Sequence, residues 1–236
     1  MLDETFYLDG VDAKTYGLML QKPVDFSEPV PIVETEHIEG RNGDIVYDTG
    51  AYENRTAMAD CYALVKNVKS SLRAINHYLF GNRGYRRLET SDDPEHFWLA
   101  RVANGARIEQ RLRTLAPFEI EFDCKPQSFL KVGEIPLYIE SATTVMNKYG
   151  HTALPIIKVY GTGAGSLWVG GVRVDFTEID DMTILDCDLQ NAYNVKGNRN
   201  FYIDAPDFPS LKDGENHVSF SGGITKIQII PRWWEL

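Results

Sequence analysis

The sequence predicts a mainly β fold with one α-helix, divided into an N-terminal domain over residues 1–130 and a C-terminal β-sandwich domain over residues 131–236. Three observations carry this. Phe118 to Cys124 alternates apolar and acidic residues with the period of two that a strand with one dry face requires. Residues 67–81 hold the one clear helical period. Beyond residue 130, short apolar runs separated by glycine clusters follow one another in the pattern of a sandwich.

Taken in order, Phe6-Tyr7-Leu8 and residues 16–20 are expected to be two strands around an Asp9-Gly10 turn. Pro23, Pro29 and Pro31 make residues 21–33 an extended connection, because proline has no N–H to give to the middle of a sheet. Residues 38–55 are expected to form a hairpin. Gly40-Arg41-Asn42-Gly43 tolerates positive φ, Ile45-Val46-Tyr47 are good strand formers, and Thr49-Gly50 turns the chain again. Polar ends around an apolar middle give this stretch the character of an arm projecting from a sheet. Residues 55–65 stay open between strand and helix, because their alanines dilute any period. The helix starts with Asn67 as N-cap, places Val68, Leu72, Ile75 and Leu79 on one face, and stops at Gly81.

From Tyr85 the helical period ends. Residues 85–88 read as a strand, Ser91-Asp92-Asp93-Pro94 as a turn, and Phe97-Trp98-Leu99 as a strand that runs on to Asn104-Gly105. That dipeptide signals a type I′ hairpin, answered by residues 106–112. The second domain is read as short strands at 136–139, 155–160, 167–169, 172–176, 183–188, 201–204, 218–220 and 224–230. Turns are expected at Gly161-Thr162-Gly163-Ala164-Gly165, Gly170-Gly171, Asp213-Gly214 and Gly222-Gly223.

Composition narrows the function classes. A 43% hydrophobic content is ample for real cores and excludes a disordered chain. No apolar run reaches the ~18 residues of a membrane span, and the first residues are acidic where a signal peptide is basic, so a protein folded in a reducing cytoplasm is expected. Cys61, Cys124 and Cys187 form no CxxC pair and read as small buried hydrophobes rather than a disulfide or zinc framework. The net charge of −10 opposes nucleic-acid binding by bulk electrostatics. It is unevenly spread: residues 1–39 hold nine carboxylates against Lys14 and Lys22, whereas residues 81–113 hold seven arginines against five acids. An acidic face on one copy is therefore able to meet a basic face, around Arg83, Arg86 and Arg87, on another.

No constellation reads as a catalytic, cofactor or metal site. Asp48-Thr49-Gly50 looks like an aspartic-protease loop, but that chemistry needs two carboxylates sharing a proton and the chain has no second copy. A turn aspartate explains the same letters. The glycines at 161, 163 and 165 are followed by Leu167-Trp168-Val169 and not by the helix that a dinucleotide loop needs. His37, His77, His96, His151 and His217 never occur at metal-ligand spacing. Asp180-Asp181 with Asp186 and Asp188 lacks the ligand order of a calcium loop. Trp168, Trp233 and Trp234 are readable as a stacking platform for sugars or as core packing.

In order and number, several motifs resemble the distal tail protein (Dit) family of long-tailed bacteriophages and their prophages. They are Phe6 with Gly10, Tyr16-Gly17-Leu18, GRNGDIVYDTGAYENR at 40–55, YRRLETSDDPEHFWLA at 85–100, FEIEFDCKPQ at 118–127 and LKDGENHVSFSGGITKIQIIPRWWEL at 211–236. The resemblance implies a ring-forming belt domain of β-sandwich, helix and projecting hairpin, followed by a galectin-like sandwich. It further implies a non-enzymatic homo-hexameric hub at the virion tail tip, assembled in the host cytoplasm, that joins the tail tube protein to a baseplate hub or fibre protein. The tape measure and receptor-binding proteins are further implied partners. A carbohydrate-binding module for host attachment is the alternative reading, and a protease at Asp48 the weaker one.

Overall fold

The computed structural model describes residues 4–64, 68–103, 105 and 117–236. The chain divides into two compact units, Met1–Ser128 with Leu236 and Phe129–Glu235. It is mainly β, with one α-helix delimited among the described residues.

The strands of the first unit are Phe6–Leu8 (β1), Val11–Asp12 (β2), Leu18–Leu20 (β3), Asp25–Phe26 (β4), Pro31–Glu36 (β5), Ile45–Tyr52 (β6) and Arg55–Ala63 (β7). The helix Val68–Phe80 (α1) and the strands Arg86–Thr90 (β8), His96–Val102 (β9) and Phe118–Cys124 (β10) follow. The sheet runs β2-β1-β8-β9-β10-β7-β3, with β4 paired to β7. Its centre is the antiparallel β7–β10 pair, in which Ala57, Ala59 and Cys61 lie opposite Phe122, Ile120 and Phe118. Small residues on one strand thus make room for large ones on the next, and all of them are buried. The alanines that obscured residues 55–65 are the dry face of a central strand. Ile75, Tyr78 and Leu79 of α1 complete the same core, where Phe6 meets Phe122 edge-on at 5.6 Å between ring centres.

Three readings of this unit need correction. Tyr16 is not in a strand but closes a 3-10 turn, Ala13–Tyr16, capped by Asp12 and ended by Gly17 at φ 77°, so β3 starts at Leu18. The proline-rich connection contains β4, whose Phe26 packs on Trp98 with 4.2 Å between ring centres. Thr49-Gly50 does not turn the chain: β6 runs through it to Tyr52, with Gly50 at φ 72° and a register shift on the partner strand between Pro31 and Val33. This is a bulge in a longer hairpin, and its other strand is β5. The predicted Asn67 cap and the hairpin at Asn104 and 106–112 lie outside the described residues. Gly81 does follow the helix, its N–H donating to the His77 carbonyl at 2.8 Å.

Ser128–Leu130 (β11) leads into the second unit. Its strands are Leu137–Ile139 (β12), Thr143–Asn147 (β13), Ile156–Val169 (β14), Val172–Asp186 (β15), Asn191–Asn194 (β16), Gly197–Asn198 (β17), Ile203–Asp204 (β18), Gly214–Ile230 (β19) and Trp234–Glu235 (β20). Three long strands, β14, β15 and β19, replace six of the short ones predicted. The glycine clusters at 161–165 and 222–223 are creases within strands and not turns. A Cβ on Gly161 would lie 2.0 Å from the Gly223 carbonyl oxygen, and one on Gly223 would lie 1.9 Å from that of Thr162. Two backbones approach there as only glycine permits. On β15 the same level is occupied by Asp181, at φ 63° and paired with Gly161.

On one side of the crease, residues 156–160 pair with 182–186 and 226–230. On the other, residues 165–169 pair with 172–176 and 218–222. Ile157, Val159, Ile227 and Ile229 from one side share a single core cluster with Leu167, Val169, Val174 and Val218 from the other. One creased sheet therefore supplies both layers around one core. The Gly170-Gly171 turn is present as predicted, at φ 58° and 87°. Residues 201–204 are a 3-10 turn, Asn200–Tyr202, and the short β18 rather than one strand, while β13 and β16 were not anticipated.

Candidate assembly surface

The β5–β6 hairpin is a two-stranded ribbon with its own hydrogen-bond ladder, from Glu36 opposite Ile45 to Pro31 opposite Tyr52. Every β5 residue is exposed, and in β6 only the two end residues are partly buried. Alternation puts Val33, Thr35, Val46 and Asp48 on one face and Glu34, Glu36, Ile45 and Tyr47 on the other. Val46 is 60% and Tyr47 52% exposed. The ribbon is tied internally by Thr49 Oγ1 donating to the Ile32 carbonyl at 2.7 Å and by the Tyr47 hydroxyl donating to Glu36 at 3.3 Å. A His37–Asp44 contact of 2.9 Å closes its turn end. A two-stranded ribbon by itself is marginal in water, so the apolar residues exposed on this one make it the candidate contact surface among the described residues. Sequence reasoning found β6 and the turn but missed β5; the available signal was Ile32-Val33 alternating into Glu34-Thr35-Glu36.

The arginine cluster does something other than expected. Arg86, nearly buried, directs Nε to Asp9 Oδ2 at 2.7 Å, donates through Nη1 to the Tyr78 carbonyl, and lies 5.7 Å from the Tyr78 ring centre. Arg87 pairs with Glu89 at 2.6 Å and sits 3.8 Å from the centre of the Phe97 ring. Asp9 also accepts from the Arg87 backbone N–H at 3.0 Å. Arg86 and Asp9, one of the leader carboxylates meant to meet the cluster across an interface, are thus engaged with each other inside one chain, and the Arg87 guanidinium is engaged by Glu89. Arg83 alone of the three is exposed.

The remaining candidates are local structure. Asp48 Oδ1 accepts from the Gly50 N–H at 2.8 Å, which shapes the bulge. Asp180 pairs with Lys196 at 2.5 Å, and Asp186 and Asp188 are bridged by Arg232 at 3.4 and 3.3 Å. These carboxylates therefore face cations of the protein, and no group of His, Cys, Asp and Glu suited to a metal occurs among the described residues. His96 contacts Asp93 at 2.9 Å, His151 stacks on Trp234 at 4.3 Å, and His217 contacts Thr144 at 2.9 Å. Cys61, Cys124 and Cys187 are buried, and burial pushes each thiol up to about 12. The three tryptophans form no common platform: Trp233 is in the core, Trp234 donates Nε1–H to the Thr152 carbonyl at 3.0 Å, and Trp168 sits on β14 beside a separate cleft.

Residues 5–124 match the family model described as the phage tail protein RIFT-related domain. The chain belongs to this family. As a member of this phage tail family it is a structural tail protein and not an enzyme. Its fold is similar to the crystal structure of SPP1 Dit (gp 19.1), described as a paradigm of hub adsorption apparatus in Gram-positive-infecting phages, over 96% of this chain and 98% of that one, with a TM-score of 0.71 and 15% identity. No curated protein sequence matches the chain.

Proposed function

We propose that this phage tail protein closes into a homo-hexameric ring at the tail tip, a hub between the tail tube and the baseplate or fibre. The first unit is the ring-forming module, the β5–β6 hairpin is the arm that lies on the next subunit, and the second unit is the sandwich carried by that ring. The observation that supports this reading most is the hairpin itself, a ribbon exposed on both faces with Ile32, Val33, Val46 and Tyr47 uncovered. A closed ring needs a patch that meets a different patch on its neighbour, and a projecting arm is such an element. Burial of Val33 and Val46 on an adjacent subunit at about 1.5 kcal/mol each gives about 3 kcal/mol per interface, and six such contacts close together.

Light scattering coupled to size exclusion tests this on the full chain. The wild type should assemble as concentration rises, and a V33D/V46D chain, altered only on the ribbon, should stay monomeric with an unchanged circular dichroism spectrum. Assembly of the variant with unchanged affinity would remove the hairpin from the interface.

A further inference from the structure

The loop that closes the β5–β6 ribbon, residues 37–44, contains an asparagine followed directly by a glycine, Asn42-Gly43. Every residue of the loop is exposed, and a Cβ added to Gly43, which stands at φ 78°, would meet nothing within 4 Å. The loop is held by the Arg41 N–H, which donates to the Ile38 carbonyl at 3.1 Å, and by the His37–Asp44 contact. Neither restrains the dipeptide between them. Among the described residues, the Asn42 side-chain amide and the Gly43 N–H have no hydrogen-bond partner.

We infer that Asn42 is a site of spontaneous self-modification, at which the backbone nitrogen of Gly43 displaces ammonia from the Asn42 side chain. The nitrogen attacks Asn42 Cγ and a new C–N bond closes a succinimide ring. The side-chain nitrogen leaves as ammonia, taking up the proton that the Gly43 N–H gives away. Water then opens the ring at one of its two carbonyls. Opening at the side-chain carbonyl leaves the Gly43 nitrogen on the main-chain carbonyl and gives aspartate; opening at the main-chain carbonyl gives isoaspartate, whose backbone runs through the former side chain. Nothing is oxidised or reduced, and water is the one co-reactant. Glycine matters because it carries no Cβ to keep its nitrogen away from Cγ, and because the open space around it lets the peptide swing into the attacking geometry.

Related dipeptides elsewhere in the chain show what withholds the reaction. Asp9-Gly10 and Asp213-Gly214 also put a side-chain carbonyl carbon before glycine, but an ionised carboxylate is a poor electrophile. Both are also tied down: Asp9 by Arg86 at 2.7 Å and Asp213 by the Gly150 N–H at 3.2 Å. Asn147 and Asn194 accept from the backbone N–H two residues on, at 3.1 and 2.8 Å, and are followed by Lys148 and Val195, whose Cβ atoms shield the next nitrogen. Asn42 is the one described asparagine followed by glycine. Its conversion adds a negative charge between Arg41 and Asp44, at the end of the ribbon. The chemistry is complete within one chain and does not rest on ring assembly.

Peptide mapping by mass spectrometry tests this on the full chain, aged in dilute solution so that self-association does not cover the loop. The peptide holding Asn42 should gain a single mass unit with time, faster at mildly alkaline than at neutral pH because the attacking nitrogen must lose its proton. Isoaspartate should appear at position 42, read by methylation with a protein isoaspartate methyltransferase, since direct hydrolysis of the side chain gives aspartate alone. Gly43→Ala should slow the reaction about tenfold or more by shielding the nitrogen. Because alanine is strained at this φ and alters the loop, Asn42→Gln is the second control: it keeps the amide but needs a larger ring, and position 42 should then stay unmodified over the same period. An Asn42 that remains intact while other asparagines convert, conversion to aspartate without isoaspartate, or an unchanged rate in Gly43→Ala would each overturn the inference.

Discussion

Replacing Arg86 by alanine should destabilise the first unit by about 2–3.5 kcal/mol while leaving self-association intact once the chain is folded. The magnitude follows from its three contacts. The Asp9 carboxylate is 48% exposed, so the ion pair itself is screened and contributes about 0.5–1 kcal/mol. The bond to the Tyr78 carbonyl, one of those left without an intrahelical partner at the end of α1, is charge-assisted and adds about 1–2 kcal/mol with the favourable placement of a cation at a helix C-terminus. Stacking over the Tyr78 ring adds about 0.5 kcal/mol. For a unit of this size the total is roughly a 6–12 °C drop in its calorimetric transition. Asp9→Asn is the proper partner variant, because Asp9 stands at φ 52°, where asparagine is tolerated. The double-mutant cycle should return a coupling of about 0.5–1 kcal/mol within the monomer. An Arg86→Ala chain with an unchanged transition that no longer assembles would refute the reasoning and return this arginine to the interface.

Two other outcomes are expected. Gly223→Ala should destabilise the second unit by about 3 kcal/mol or more, because its Cβ meets backbone, whereas Gly171→Ala, at φ 87° with open space around it, should cost only about 1 kcal/mol; equal effects in thermal unfolding would remove the crease as the cause. The cysteines, pushed up to about 12 by burial from an ordinary 9.0, keep their protons in the folded chain while the unfolded chain loses them. Their contribution is therefore fully present below pH 9, and the urea midpoint should fall as pH rises from there toward 12. Ellman's reagent at pH 8 should find no reactive thiol without denaturant, and rapid labelling of the native chain would contradict the burial.

What the sequence disclosed and what it hid have physical reasons. Phe118 to Cys124 was legible because alternation is a local property, and the Val68–Phe80 helix because its apolar face repeats. Residues 55–65 were not, because alanine opposite phenylalanine is a packing choice visible only across a strand pair. Glycine misled most in the second unit: in a sequence it marks a turn, but at Gly161 and Gly223 it marks a place where two backbones touch. The Arg86–Asp9 pair spans 77 positions, so no reading of either segment revealed that each neutralises the other. The cleft beside Trp168 was hidden likewise, since Trp168 and the 212–219 segment meet only through the ladder of β14 and β19.

The central claim is a closed ring held by the β5–β6 arm. Electron cryomicroscopy of the assembled full-length protein tests it most directly. The account predicts sixfold particles in which each Pro31–Glu36 and Ile45–Tyr52 ribbon lies on the first unit of the next subunit, with Val33 and Val46 covered. Monomers at every concentration, alone and with tail-tube protein added, or rings in which the ribbon projects into solvent, would contradict it.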